Sequence, residues 1–261
     1  MEDCRHKRQL AKVIDRPGYT FIVAKTIRYE PRALRVSFDD FDFFVKPDSL
    51  VTVEEGGIMI LERLKRRFAD PAMRRDPPYL VYAILDEILD EYLLTLDSIG
   101  EAVNTLETYV WKDPSPLHLQ RIFQAKRALI EFRRNAASTR EVISSMLRTH
   151  QVQGNADLAN YYRDLYEHAV RVIEFIETYR DLLTGALDIY LSSVTNRTND
   201  VVKVLTIYGT IALPLIVITG FYGMNIELPL QHSPHAATFI SGIMGAFAAG
   251  VLIYFRKKQW L

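Results

Sequence analysis

Residues 223–225 read Gly-Met-Asn, at the point where a long apolar run stops. An asparagine carboxamide is a neutral, hard oxygen donor, suited to a cation that keeps its hydration shell. Mg²⁺ is such an ion, since it dehydrates reluctantly and usually retains several waters. Gly223 tolerates close approach of neighbouring backbones, and Met224 packs adaptably behind it. The same three residues also suit an ordinary helix cap and turn. Seven and ten residues beyond Asn225, His232 and His235 are spaced H-x-x-H, a pairing that suits Zn²⁺, Co²⁺ or Ni²⁺ as neutral imidazoles. No third soft ligand stands near them, because the single cysteine is Cys4. They are expected to be exposed loop histidines, with zinc kept as a second possible cargo. No nucleophile with its base, P-loop or redox pair is present, so an enzyme is not expected.

The elements around these residues belong to a membrane. No charged side chain occurs from Val204 to Ile226 or from Ala236 to Phe255. At about 1.5 Å per residue, each run is long enough to cross a hydrocarbon core of about 30 Å. Arg197 and Lys203 precede the first run, and Arg256, Lys257 and Lys258 follow the second. The intervening loop has one acid, Glu227, and no Lys or Arg. Excess basic charge marks the cytoplasmic side, which predicts a multi-pass protein of the cell (inner) membrane with both termini cytoplasmic. The N-terminus lacks the apolar core of a secretory signal. With 32 basic and 32 acidic residues the chain is formally neutral, which argues against nucleic acid as a partner.

Upstream, residues 19–54 read as strands: YTFIVAKTIRYE, RVSFDDFDFFVKP and SLVTVEE, broken at Pro31, Pro47 and Asp48-Ser49. Helix follows almost without interruption. A first helix opens at Pro77-Pro78 and closes at KDPSP (112–116), and a second spans about Leu117 to His150. A third starts after Gly154-Asn155 and meets no proline until Pro214. Continuous to Tyr222, it is on the order of 100 Å long and must pack lengthwise against other helices. Acidic residues dominate the first helix (Asp86, Glu87, Asp90, Glu91, Asp97, Glu101, Glu107). Basic residues dominate the second (Arg121, Lys126, Arg127, Arg133, Arg134, Arg140, Arg148). The two are expected to attract in an antiparallel hairpin, and the acidic helix also to act on cations near a pore mouth.

Two spans cannot enclose a water-filled path, so conduction requires a symmetric ring of copies, in which Asn225 becomes a collar of amides. Stepping by 3.6 residues from Asn199 gives Val202, Thr206, Gly209, Leu213, Ile216 or Val217, and Gly220 as one face. Apolar constrictions of this kind block ions by dewetting when narrow. A helix seam without a lumen has the same pattern.

Tyr222-Gly223-Met224-Asn225 at the end of the first of two C-terminal spans resembles the CorA family of magnesium transporters. The resemblance extends to YYRDLYEHAVRVIEFIETYRDLLTGALDIYLSSVTNRTNDVVKVLTI as stalk helix and YFRKKQWL as basic C-terminal end. PYLVYAILDEILDEYLLTLDSI and VSFDDFDFFVKPDSLVTVEE also fit the cytoplasmic domain. It implies a funnel-shaped homopentamer with an α/β cytoplasmic domain, a pore-lining stalk helix and an outer second span. It implies passive influx of Mg²⁺, and of Co²⁺, with no organic cofactor; the partners are further copies, lipid and divalent cations. The alternatives are a zinc transporter of the same superfamily and a non-conducting membrane-anchored scaffold. The segments expected are an α/β region (1–78), antiparallel helices (79–155), stalk (156–203), first span (204–225), external loop (226–235), second span (236–255) and basic tail (256–261). Matching by residue assigns the selectivity mouth to Tyr222, Gly223, Met224 and Asn225. It assigns the pore face to Asn199, Val202, Leu205, Gly209, Leu213, Ile216 and Gly220, leaving Leu205 and Thr206 as neighbouring alternatives. Arg256, Lys257 and Lys258 correspond to a basic ring at the pore mouth. Two departures stand out. After GMN the family continues MPEL where this chain has LPLQH, so attraction of external ions falls to Glu227. The family also has a longer N-terminal region with more strands and an acidic stretch, so an N-terminally shortened sheet is expected. Asp164 matches the stalk side of the family's regulatory Mg²⁺ site, whose acidic partner is missing here.

Overall fold

The computed structural model describes residues 10–54, 59–67, 76–224 and 235–260. The chain forms two compact units, Met1–Tyr190 and Leu191–Leu261.

The first unit opens with an antiparallel meander in sequence order: β1 (Lys12–Arg16), β2 (Tyr19–Glu30), β3 (Arg35–Val45) and β4 (Leu50–Glu54). The β1–β2 turn is Pro17-Gly18, with Gly18 at φ +89, a left-handed position that glycine occupies without steric cost. The predicted strand at 19–30 is β2, and the one expected to run from Arg35 to Pro47 ends at Val45; the two pair from Thr20–Val45 to Glu30–Arg35. β1 was not anticipated: Lys-Val-Ile-Asp-Arg looks polar, although the turn that follows is a hairpin signal. Lys25 and Asp40 face each other across β2 and β3 as a cross-strand ion pair in the buried middle of the sheet. Arg28 and Asp39 pair nearby at 2.5 Å.

Helices α1 (Met59–Arg67), α2 (Pro77–Lys112), α3 (Pro116–Leu147) and α4 (His150–Gln153) follow, then α5 (Ala156–Tyr222). α1 was also unanticipated, and the helix expected to reach His150 ends at Leu147. Pro77-Pro78 and Pro116 sit in the first turns of α2 and α3, where the missing N–H costs nothing. α5 is capped by Asn155, whose Oδ1 accepts from Leu158 N at 3.2 Å.

Three heptad-like seams hold α2, α3 and the lower part of α5 together. The buried rows are Leu89, Tyr92, Leu96, Ile99, Val103, Leu106 and Val110 on α2, and Ile122, Ala125, Leu129, Phe132, Ala136 and Thr139 on α3. On α5 the row is Leu158, Tyr162, Leu165, Ala169, Val172, Ile176 and Leu183. Steps alternate between three and four residues, with one step of seven from Ile176 to Leu183, the period of knobs-into-holes packing. Contacts fix the directions. Tyr109 stacks on His118 while Tyr92 meets Phe132, so α2 and α3 run antiparallel. Lys126 reaches Thr184 and Arg133 pairs with Glu177, so α3 and α5 are antiparallel too.

The sheet rests on α2 and α3, and specific contacts fix it there. The Tyr92 hydroxyl donates to Lys25 O at 2.7 Å, and burial raises its pKa above the usual range. Ala11 N donates to Ser138 Oγ, and Phe38 lies against both Tyr92 and Phe132. At Gly100 the helices approach so closely that a Cβ would stand 2.4 Å from the Tyr179 hydroxyl. Gly100→Leu is therefore expected to cost about 1–3 kcal/mol through overpacking, read as a lower melting temperature of the full chain in detergent. A melt no lower than wild type would mean that Tyr179 swings aside freely.

The charge separation between α2 and α3 resolves differently from a simple mutual attraction. Glu87 and Glu91 of α2 meet Arg63 of α1 at 3.3 and 2.6 Å, and Arg133 of α3 pairs with Glu177 of α5. The hairpin is closed by its apolar seam.

Candidate ion pathway

In the second unit, the upper part of α5 lies beside α6 (Ala236–Lys257). Both helices are long and apolar enough to cross a membrane, and only 6% of each apolar window is buried within the chain. An all-round apolar helix with so little internal cover is suited to lipid and to other helices.

One row of α5 is nonetheless shielded. Lys203, Ile207, Ile211, Pro214, Ile218 and Tyr222 are less exposed than their neighbours, and Ile207 is 7% exposed. On α6 the matching row is Ile240, Met244, Ala248, Val251 and Phe255, the last 6% exposed. As one row ascends the other descends, the pattern of an antiparallel pair. This row was missed from the sequence, where every position in the span is apolar and no contrast marks it.

The predicted stripe occupies other positions. Val202, Leu205, Gly209, Leu213, Ile216 and Gly220 are all exposed, with Leu205 at 72%, Leu213 at 68% and Ile216 at 67%. At 3.6 residues per turn they centre on the side of α5 turned away from the Ile207 row. Asn199 and Thr206 are exposed at the margin of that side. The Thr206 hydroxyl donates to Val202 O at 2.8 Å, as threonines in helices often do. Pro214 lies on the shielded side, within an unbroken helix; loss of its N–H is tolerated in spans with local adjustment.

The helix closes at Tyr222. Gly223 N donates to Thr219 O at 2.9 Å and to Gly220 O at 3.2 Å. A Cβ on Gly223 would stand 3.1 Å from Thr219 O, a crowding that glycine avoids. The Tyr222 ring meets Phe221 edge-on, and Met224 is exposed. Asn225, Glu227 and His232 lie outside the described residues. His235 directly precedes α6, its carbonyl accepting from Phe239 N.

Arg256 and Lys257 end α6, where cations complement the helix dipole. Lys258 follows, its Nζ 5.6 Å from the Tyr254 ring centre and 6.0 Å from that of Trp260, which stacks on Phe255. In the first unit, the Asp164 carboxylate is 65% exposed and 3.9 Å from His168 Nε2. No group of three or more His, Cys, Asp or Glu side chains suited to a metal ion occurs among the described residues.

A sheet-and-bundle domain, one very long helix and a second apolar helix with a basic end make up a chain with two candidate membrane spans at its C-terminal end. The chain belongs to the CorA-like Mg²⁺ transporter protein family, whose sequence model matches residues 1–257. It is 34% identical to the cobalt/magnesium transport protein CorA of Thermotoga maritima over 265 residues, covering 100% of this chain and 76% of that protein. It is 29% identical to the putative metal ion transporter YfjQ of Bacillus subtilis, covering 100% of this chain and 81% of that one. Among solved structures, the CorA magnesium transporter of Methanocaldococcus jannaschii superposes with a TM-score of 0.88 at 23% identity, over 98% of this chain and 81% of the other. The soluble α/β domain, long helix and two C-terminal apolar helices are thus the fold of that family.

Proposed function

We propose that the chain is a Mg²⁺ channel or transporter, also admitting Co²⁺, that works as a homopentamer around a central axis. The observation that carries this reading is the exposed stripe on α5, Val202 to Gly220, on the side away from α6. A helix that crosses a membrane alone has no use for a row of glycines and branched residues alternating on one side. In a ring of copies that row faces the axis, while α6 stands outside it. The Tyr222–Asn225 segment forms the outer mouth, with Glu227 drawing in external cations. Asn199 forms a polar collar at the inner end, and Arg256, Lys257 and Lys258 a basic ring near it. Asp164 is the residue of α5 that matches the stalk side of the family's regulatory Mg²⁺ site. Both termini lie in the cytoplasm and the membrane is the inner one. No organic cofactor or catalysis is involved. Influx is driven by the membrane potential, about 2.3 kcal/mol per charge at 100 mV and twice that for a divalent ion.

The test is ion-selective flux through the reconstituted full-length chain under an inward-negative potential. Mg²⁺ entry supports the proposal; a pentamer that passes no divalent cation would leave a scaffold, and Zn²⁺ flux that Mg²⁺ does not compete with would reassign the cargo. Within the pore face, Leu213→Asn is expected to raise flux several-fold, because a polar ring wets a constriction that an apolar ring keeps dry. Unchanged flux in that variant would remove Leu213 from the pathway.

A further inference from the structure

Two exposed helix faces of the first unit have no partner within the chain. On α2, Asp90, Leu94 and Asp97 share the side turned away from the buried row, and Leu94 is 61% exposed. On α3, Arg127, Ile130 and Arg134 share the side turned away from its own buried row, and Ile130 is also 61% exposed. Both triplets advance by steps of three and four, the spacing that aligns side chains along one helix face. None of these four charged side chains makes an ion pair among the described residues. An exposed aliphatic side chain rimmed by charge, on a helix already fixed by its seam, is a surface suited to association.

Charge and level along the bundle indicate the occupant. Acids flank Leu94 and bases flank Ile130, so each face repels its own kind and attracts the other. Two copies therefore meet α2 to α3, a heterologous contact of the type that closes rings. The register follows from the seam. Tyr92 and Phe132 meet across it with ring centres 5.1 Å apart. From that contact, Asp90 and Arg134 each lie two residues toward one end of the bundle. Leu94 and Ile130 lie two residues toward the other end, and Asp97 and Arg127 five. Because α2 and α3 are antiparallel and rise equally, the members of each pair stand at one height in the chain. Rotation about an axis along the bundle leaves height unchanged. The same pairs then face each other between neighbouring copies: acid on base, Leu on Ile, acid on base. Inside one chain they stay apart, because both faces point away from the seam.

We propose that α2 of one copy docks on α3 of the next, with Leu94 against Ile130 at the centre and Asp90–Arg134 and Asp97–Arg127 on either side. The aliphatic pair contributes buried apolar area. The ion pairs are individually weak, and their contribution is to fix register and exclude mismatched faces. This docking rests on the ring of copies inferred above and assigns it a contact outside the ion pathway. Disulfide trapping tests it in the full-length chain, with Cys4→Ser removing the single native thiol. Leu94→Cys and Ile130→Cys are introduced together or singly, and the detergent-purified protein is oxidised. The double variant is expected to give a ladder of cross-linked chains on a denaturing gel. The two single variants coexpressed should give dimers only, and each alone should stay monomeric. Adding Asp97→Arg to the double variant should cut the ladder several-fold, and adding Arg127→Asp as well should restore it. Dimers from Leu94→Cys alone, or an intrachain bond in the double variant, overturn the docking. So does a ladder that Asp97→Arg leaves unchanged, because the charges then fix nothing. No ladder from an oligomer that sizes as wild type overturns the docking and leaves the ring standing. A Cys4→Ser chain that sizes as a monomer and gives no ladder overturns both.

Discussion

Asn225→Ala in the reconstituted full-length chain is expected to lose Mg²⁺ uptake while retaining its oligomer. The amide lies just beyond the helix end at Gly223, and in a ring of copies it becomes a collar of carboxamides. Each carboxamide accepts from water held by the ion, and a hydrogen bond of this type is worth about 0.5–1.5 kcal/mol net. Five lost together remove at least about 2.5 kcal/mol from ion capture. With 1.4 kcal/mol equal to about tenfold, uptake should fall roughly fifty-fold or more. The buried seams of the first unit are built from α2, α3 and α5 residues far from it in sequence, so assembly and melting temperature should stay at wild-type values. Flux against ion concentration, together with a sizing measurement, checks both halves. Wild-type uptake by an intact Asn225→Ala oligomer would move selection away from the mouth.

Phe132→Ala is expected to have the largest effect on stability. Phe132 is fully buried where the three layers of the first unit meet, 5.1 Å from the Tyr92 ring and 5.8 Å from the Phe38 ring. Truncation removes the transfer energy of the ring and leaves a cavity, together about 3–5 kcal/mol. Tyr92 loses its edge-on partner while its hydroxyl stays tied to Lys25 O, so it cannot collapse into the gap. For a unit of this size each kcal/mol lowers the melting temperature by about 2–4 °C, which predicts a fall of roughly 6–20 °C. A calorimetric or circular-dichroism melt of the full chain reads it. A fall of only a degree or two would mean that the sheet slides to refill the space.

The strands at 19–30 and 35–45 were legible because β-branched and aromatic residues cluster between turn signals. β1 was not, because only Val13 and Ile14 in it are apolar and its identity as a strand depends on pairing with β2. The heptad seams were present in the sequence as alternating steps of three and four, and they tell more about the hairpin than its opposite charges do. Arg133 illustrates the reason: a long basic side chain takes whichever carboxylate the seam brings near, here Glu177. Within the spans, hydropathy marks where the membrane lies but cannot tell one apolar side from another. The stripe at Leu213 and Ile216 emerged from helical steps and from resemblance, whereas the shielding of Ile207 is seen only in the folded chain.

The Thr206 hydroxyl has a consequence for how ions are told apart. Between Asn199 and Gly220 it is the only side-chain oxygen on the stripe, and it is turned along its own backbone toward Val202. With its hydrogen committed to that carbonyl, the Thr206 oxygen keeps its lone pairs as the one side-chain acceptor among otherwise apolar or small neighbours. Under the proposed ring of copies, that leaves a single girdle of hydroxyls where a hydrated cation could exchange a contact, and bare hydrocarbon above it.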